Sequence, residues 1–223
     1  MGNAAAEKEI ASREALKLVR DGMTLGLGTG TTFEVFLRLL GEKMQEGLRV
    51  RGVASSTRTA KLAAGIGIEI LEEVDGKLDL DVDGTDEFDD RIFLIKGGGG
   101  ALLREKIIAR SSRAVCIIAD SSKYNPSGIG RYPLPVEISP FLPETTLKEL
   151  QKLGARCSLR GEGKFITDNG NLIVDCEFGT IVNPQMAESR IKNIPGVLEV
   201  GLFTSINCEV YMGTKDGVRV FRR

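Results

Sequence analysis

Residues 97–100 are four consecutive glycines, set between Lys96 and the run Ala101-Leu102-Leu103-Arg104-Glu105-Lys106. Glycine loses more backbone freedom on folding than any other residue, so ordering four in a row is costly. A chain that does so brings backbone very near something. Just upstream stands Asp83-Gly84-Thr85-Asp86-Glu87. Carboxylates, an ammonium and bare backbone crowd into one short stretch, which points to a reaction. The sequence has no histidine, so proton transfer must use Asp, Glu, Lys, Tyr, Cys or water.

The first half alternates two periodicities. Met23 to Leu27, Val50 to Ala54, Leu78 to Val82 and Ala114 to Ala119 read as short, near-continuous apolar strands. Between them lie helical patterns, with Phe33, Phe36, Leu37 and Leu40 at i, i+3, i+4 and i+7. Ile92 to Ile95 follows Val82 too soon for a crossover helix and reads as a hairpin-like return. The expectation is an α/β fold: a Rossmann-like sheet with helices on both faces. Composition shifts at Tyr132-Pro133-Leu134-Pro135-Val136, which suits a domain boundary. Residues 133–204 then show strand-helix-strand-strand-helix-strand order, a smaller ferredoxin-like α+β domain. Within it, 165–175 reads as a hairpin with Asn169-Gly170 at the tip. Residues 205–223 form two strands that return to the first domain, so that 1–132 and 205–223 make up the larger one.

Composition excludes several functions. The 30 basic and 31 acidic residues leave a net charge of -1, and aromatics are only 5%. Neither a nucleic-acid footprint nor base-stacking platforms fit that balance. No apolar run approaches the ~20 residues that span a bilayer. The N-terminal Met1-Gly2-Asn3-Ala4-Ala5-Ala6 lacks a basic segment followed by an apolar core. Cys116, Cys157, Cys176 and Cys208 are widely spaced and form no metal motif. Free thiols, a reducing compartment and a cytoplasmic protein are expected.

Gly26-Leu27-Gly28-Thr29-Gly30-Thr31-Thr32 joins a strand to a helix. Glycines tighten the turn, helical N–H groups point outward, and hydroxyls add donors, which together make a cradle for phosphate. A tight turn with threonine caps is the alternative. A dinucleotide fingerprint fails, because the third glycine of its pattern would fall on Phe33. Ser55-Ser56-Thr57-Arg58-Thr59 repeats the arrangement more weakly, and capping explains it equally well. Asp83 and Asp86 follow a strand, with Gly84 bending the chain between them. Glu105 lies one turn into the helix opened by the glycine run. Its neighbours Arg104 and Lys106 suit a surface charge cluster, but without histidine a carboxylate is the leading general base.

The ordered set of motifs resembles ribose-5-phosphate isomerase of type A. It comprises Gly28-Thr29-Gly30-Thr31-Thr32, Asp83-Gly84-Thr85-Asp86-Glu87, Lys96-Gly97-Gly98-Gly99, Arg104-Glu105-Lys106, Asp120-Ser121-Ser122-Lys123, Thr167-Asp168-Asn169-Gly170-Asn171 and Ile194-Pro195-Gly196-Val197. The resemblance implies interconversion of D-ribose 5-phosphate and D-ribulose 5-phosphate, in the non-oxidative pentose phosphate pathway, with no metal or other cofactor. It implies Glu105 as the base moving a proton between C2 and C1 through an enediol(ate). Asp83 would assist ring opening and hydroxyl proton transfer, Lys96 would stabilise the oxyanion, and Asp86 would orient substrate hydroxyls. Thr29, Gly30, Thr31 and Thr32 would hold phosphate with Lys123 and Lys8, while Gly84, Thr85, Gly97, Gly98 and Gly99 would bind the remainder of the substrate. It also implies a homodimer or homotetramer. The sequence departs from the family in small ways: Thr31 replaces a common Ser, and Gly100 is an extra glycine before Ala101. For such a base in water to work, the site has to raise its proton affinity towards roughly 6–7 and stabilise the enediolate. Two rivals are a sugar-phosphate sensor with the same cradle and no reaction, and a coenzyme A transferase with a nucleophilic glutamate.

Overall fold

The computed structural model describes residues 2–222. Met1 of the N-terminal segment and Arg223 of the basic C-terminal pair lie outside the described residues. In chain order the elements are α1 (Gly2–Leu16), β1 (Thr24–Leu27), α2 (Thr31–Gln45), β2 (Arg51–Ala54), α3 (Thr57–Gly65), β3 (Glu69–Ile70) and β4 (Leu78–Gly84). Two short strands follow, β5 (Glu87–Phe88) and β6 (Leu94–Ile95), then α4 (Leu102–Ser111) and β7 (Ser112–Asp120). Next come β8 (Leu134–Ile138), α5 (Pro143–Gln151), β9 (Arg156–Leu159), β10 (Leu172–Glu177), α6 (Pro184–Lys192), β11 (Val197–Val200) and β12 (Leu202–Phe203). The chain closes with β13 (Glu209–Thr214) and β14 (Gly217–Phe221).

These elements form two compact units. The first comprises Met1–Thr85, Arg104–Lys123 and Ile206–Arg223; the second comprises Asp86–Leu103 and Tyr124–Ser205. Residues 86–103 and 124–132 thus cluster with the second unit, and Pro135 lies within β8.

In the first unit a seven-stranded sheet runs β14-β13-β7-β4-β1-β2-β3. All neighbours pair in parallel except β13 and β14. Side chains alternate across each strand. Leu25, Leu27, Leu80, Val82, Cys116 and Ile118 face one side and pack with Ala11 and Ala15 of α1 and with Phe33, Phe36, Leu37 and Leu40 of α2. The intervening Gly26 and Asp81 face the other side, where Ile108 of α4 lies so close that a Cβ on Gly26 would strike it. Helices therefore cover both faces, as the apolar runs require.

The second unit holds a four-stranded sheet of order β11-β8-β10-β9 and a three-stranded one of order β12-β6-β5. The first is wholly antiparallel, and with its two helices it has the expected ferredoxin-like connectivity. Leu134, Val136 and Ile138 pack against Leu150 of α5 and Ile191 of α6. Two expectations need correction. The 165–175 hairpin is reduced to a single bridge, Ile166 to Leu172, and the strands that pair with β10 are β8 and β9. A buried knot replaces that hairpin: fully buried Glu137 accepts from Thr167 Oγ1 and from the side-chain amides of Asn169 and Asn171. The second correction concerns the cysteines. Cys157 and Cys176 are direct cross-strand partners with Cα atoms 4.1 Å apart, and they form a disulfide. Strand register puts their side chains opposite each other, which spacing alone did not reveal. Cys116 and Cys208 are free and buried, and burial pushes the Cys116 thiol well up. Among the described residues, no helix is long and apolar enough to cross a membrane.

Helix α1 rides on β13 so closely that a Cβ at Gly213 would collide with the backbone of Glu7. Backbone cannot rotate away as a side chain can. Gly213→Ala is expected to cost more than about 2 kcal/mol, read as a lower urea midpoint at unchanged m; an unshifted midpoint would show that α1 yields without cost.

Candidate active site

In an open parallel sheet, ligands bind beyond the carboxyl ends of the strands where the strand order reverses. Here β1, β2 and β3 progress to one side, and β4 then returns to the other side of β1. The loops after β1 and β4 therefore part at this point and leave a crevice. They carry Gly28 to Gly30 and Asp83 to Thr85.

The two loops are locked together. Asp83 is 1% exposed. A buried carboxylate needs donors, and its Oδ1 accepts from Thr29 N at 3.1 Å and Gly84 N at 2.7 Å. Gly28 lies directly against it, and a Cβ there would overlap the carboxylate and the Asp83 backbone. The Thr29 hydroxyl turns inward, with Ser55 Oγ at 2.7 Å, Ser56 Oγ at 2.9 Å and Thr59 Oγ1 at 3.2 Å. Ser56 also caps α3 by accepting from Thr59 N. The second serine-threonine junction thus braces the first.

Helix α2 begins at Gly30, whose φ of 117° few side chains tolerate. No side chain caps it, so its first N–H groups and the positive end of its dipole are open to an anion. Thr31 is exposed and its Oγ1 accepts from Lys8 Nζ at 2.8 Å, so the ammonium stands at the helix entrance. Thr32 is buried. Sequence reasoning missed Glu7, the residue that anchors α1 next to Lys8. Glu7 is 3% exposed, and its Oε2 accepts from Ser121 N at 2.9 Å and Ser121 Oγ at 2.7 Å. This clamps α1 to the short 3-10 turn Ser121–Lys123 that follows β7, with Lys123 half-buried at its end. A polar residue at helical position 7 looks like solvated surface in the sequence, and nothing local marks it otherwise.

Glu105 lies in the first turn of α4 and is 3% exposed; Lys106 is 4% exposed. The surface-cluster explanation is therefore excluded for both. α4 belongs to the crossover from β4 to its parallel neighbour β7, so it runs opposite to the strands and its N-terminal end lies at their carboxyl edge. Ile108 sits over Gly26. One turn back along the helix, Glu105 stands about 4.5 Å closer to that edge. Two residues along β1 or β4, about 6.6 Å, lead to Gly28 and Asp83. Glu105 and Asp83 thus lie on one face of the sheet at nearly the same level.

In the second unit, Asp86 Oδ2 accepts from Gly98 N at 2.7 Å, and a Cβ on Gly98 would meet Asp86 Oδ1 and Tyr132 Oη at 2.6 Å each. Burial, followed by the Asp86 charge, pushes the Tyr132 hydroxyl up. Lys96 is 3% exposed, with its ammonium 5.5 Å from the centre of the Phe203 ring. Glu87 is fully buried and accepts from Gly130 N, Tyr132 N and Asn125 Nδ2, so it is a structural anchor. Gly97 is buried with φ 103°, Gly98 half-buried and Gly99 exposed. The structure brings Asp86 and Gly98 together, as it brings Asp83 and Thr29 together in the first unit.

Known proteins resemble this chain in sequence and fold. Residues 51–217 match the family described as ribose 5-phosphate isomerase A (phosphoriboisomerase A). The ribose-5-phosphate isomerase A of Picrophilus torridus is 45% identical over 214 residues, covering 96% of each chain. That of Bacillus mycoides is 47% identical over 219 residues, covering 96% of this chain and 98% of the relative. Among solved structures, the ribose 5-phosphate isomerase A of Methanocaldococcus jannaschii superposes with a TM-score of 0.91 at 38% identity, over 97% of this chain and 98% of its own. A D-ribose-5-phosphate isomerase in complex with phospho-erythronic acid does so with a TM-score of 0.94 at 39% identity, over 99% and 100%. Identity at this level over nearly the whole length places the chain in the ribose 5-phosphate isomerase A family.

Proposed function

We propose that this protein interconverts D-ribose 5-phosphate and D-ribulose 5-phosphate through an enediolate, with Glu105 as the general base and no metal. The observation that carries this reading is the burial of Glu105 at the carboxyl edge of the sheet, level with Asp83 and the Gly28–Thr32 cradle. The phosphate is assigned to the open N-terminus of α2, with Lys8, Thr31 and Lys123 supplying charge and donors. Binding energy from this remote group holds the sugar in place for reaction at the other end.

With the open-chain aldose bound, Glu105 removes the C2 proton and returns it to C1. A carboxylate kept from water is a stronger base than one in solution, which suits a weakly acidic C–H. The charge that develops on the carbonyl oxygen is assigned to Lys96 and to glycine N–H groups. Asp83 carries the hydroxyl proton between O1 and O2 and assists ring opening, and Asp86 orients the hydroxyls. The phospho-erythronic acid held by a relative supports this chemistry. The planar carboxylate of that acid places two oxygens as an enediolate places O1 and O2, so it imitates the intermediate. A location in the cell's soluble compartment, a place in the pentose phosphate pathway and a homo-oligomeric state belong to the same reading.

Glu105→Gln is expected to lower turnover by at least about 10³-fold while still binding phospho-erythronic acid. Wild-type enzyme in D₂O should incorporate solvent deuterium into the pentose 5-phosphate. Near-normal turnover of the variant removes Glu105 from the mechanism. The absence of exchange in the wild type points to a sensor, and a hydroxylamine-sensitive adduct on Glu105 points to acyl transfer.

The threonines divide by role. Thr31→Val should raise KM for the sugar phosphate by about 10-fold with kcat little changed, the pattern of lost uniform binding. Thr29→Val should instead lower stability by about 1–3 kcal/mol, since it removes a hydroxyl that three neighbouring hydroxyls share. A stable Thr29→Val protein with raised KM would reverse the assignment.

A further inference from the structure

Arg160 stands just beyond β9, far in sequence from any motif of the proposed site. Its guanidinium is held on three sides. Nε and Nη2 donate to the two carboxylate oxygens of Asp175 at 2.8 and 2.6 Å. Its plane lies over the Phe165 ring at 5.3 Å. The remaining nitrogen, Nη1, donates to Gly97 O at 3.1 Å and Gly98 O at 3.0 Å.

The last pair of bonds has a consequence for the glycine run. In a trans peptide the carbonyl of one residue and the N–H of the next point in opposite directions. Drawing the Gly97 and Gly98 carbonyls towards Arg160 therefore turns the N–H groups of Gly98 and Gly99 the other way. Gly98 N–H goes to Asp86 Oδ2 at 2.7 Å, and the exposed Gly99 presents its N–H on that same side. With the Gly98 N–H committed to Asp86, the Gly99 N–H is the donor on that side for an oxygen of the substrate. The positive charge of Arg160 is neutralised by Asp175, so it acts through the peptide dipoles rather than by attracting anions itself. Lysine could not replace it, since only a guanidinium can clasp a carboxylate with two nitrogens and spare a third.

We propose that Arg160 is a positioning residue for the isomerisation: by fixing the Gly97 and Gly98 carbonyls it holds the Gly98 N–H on Asp86 and aims the Gly99 N–H that receives the enediolate oxygen. The proposal rests on the isomerase reading above and deepens it. Arg160 itself touches no substrate.

The test uses the full-length chain with Arg160→Met, Arg160→Lys and Asp175→Asn. Kinetics are read as kcat and KM separately, alongside inhibition by phospho-erythronic acid and by inorganic phosphate. Misaiming the Gly99 N–H should lower kcat in Arg160→Met by about 10²-fold and weaken phospho-erythronic acid by a similar factor. Inhibition by inorganic phosphate, which needs only the cradle, should change less than about twofold. Arg160→Lys should recover little of the loss. If Arg160→Met does not fold, Asp175→Asn carries the test, since it keeps the guanidinium but halves its clasp; kcat should fall about 10-fold with phosphate inhibition intact. A folded variant with normal kcat overturns the proposal, as does equal weakening of both inhibitors. That failure is distinct from failure of the isomerase reading, which would show as absent deuterium exchange in the wild type or full activity in Glu105→Gln.

Discussion

The contact on which the first unit depends is the approach of Gly28 to Asp83. A side chain at position 28 would overlap the carboxylate and force the β1 and β4 loops apart. Without that closeness Thr29 N could not reach Asp83 Oδ1, and a buried carboxylate short of donors is a costly object. The hydroxyl cluster of Thr29, Ser55, Ser56 and Thr59 then draws in the loop after β2. Three strand ends are held in register, and α2 starts from a fixed point with its N–H groups aimed outward. The N-terminus of α2 that the proposed reading assigns to phosphate is thus formed in advance of any ligand.

The second unit uses the same device. Asp86 accepts from Gly98 N, and Gly98 can have no side chain because Asp86 and Tyr132 fill the space. The five-residue motif beginning at Asp83 thus gives one carboxylate to each unit, and each carboxylate closes on a glycine. Spacing of the two aspartates follows from this arrangement: the β4 ladder ends at Gly84, one residue past Asp83, while Asp86 N already bonds to Ile95 O in the short antiparallel sheet.

Much of this was legible from residue order. Apolar runs separated by helical patterns dictated a sheet covered on both faces, since such strands have no solvent side to offer. The glycine-threonine turn that opens α2 was readable because its chemistry is local: glycines, hydroxyls and a helix start lie within seven positions. The site's supporting residues were not readable, because their partners are distant in sequence. Glu7 reaches Ser121, Arg160 reaches Gly97, and Cys157 reaches Cys176. Each pairing depends on strand register or helix docking, which no local pattern encodes. The 165–175 hairpin failed for a related reason. Asn169-Gly170 is a strong turn signal and Thr167 N does bond to Asn171 O, but Thr167 Oγ1, itself held on Glu137, takes the N–H groups of Asn169 and Asn171, which leaves them no part in a strand ladder.

The glycine run raises the question of why a chain should order its most flexible residues by such elaborate means. Side chains would be cheaper to order, but they would stand between the backbone and whatever it approaches. With glycines the peptide groups themselves are left open to a close approach, and their dipoles must then be aimed from behind. Asp86 takes the Gly98 N–H, Arg160 takes two carbonyls, and Phe165 lies where a Cβ on Gly100 would be. Every one of these restraints is set in the folded protein before substrate arrives. Donors fixed in advance need no reorganisation when charge develops on a nearby oxygen, which is where fixed dipoles exceed water as a solvent for a transition state. The entropy lost in ordering glycine is thus drawn from folding stability and does not recur at each turnover.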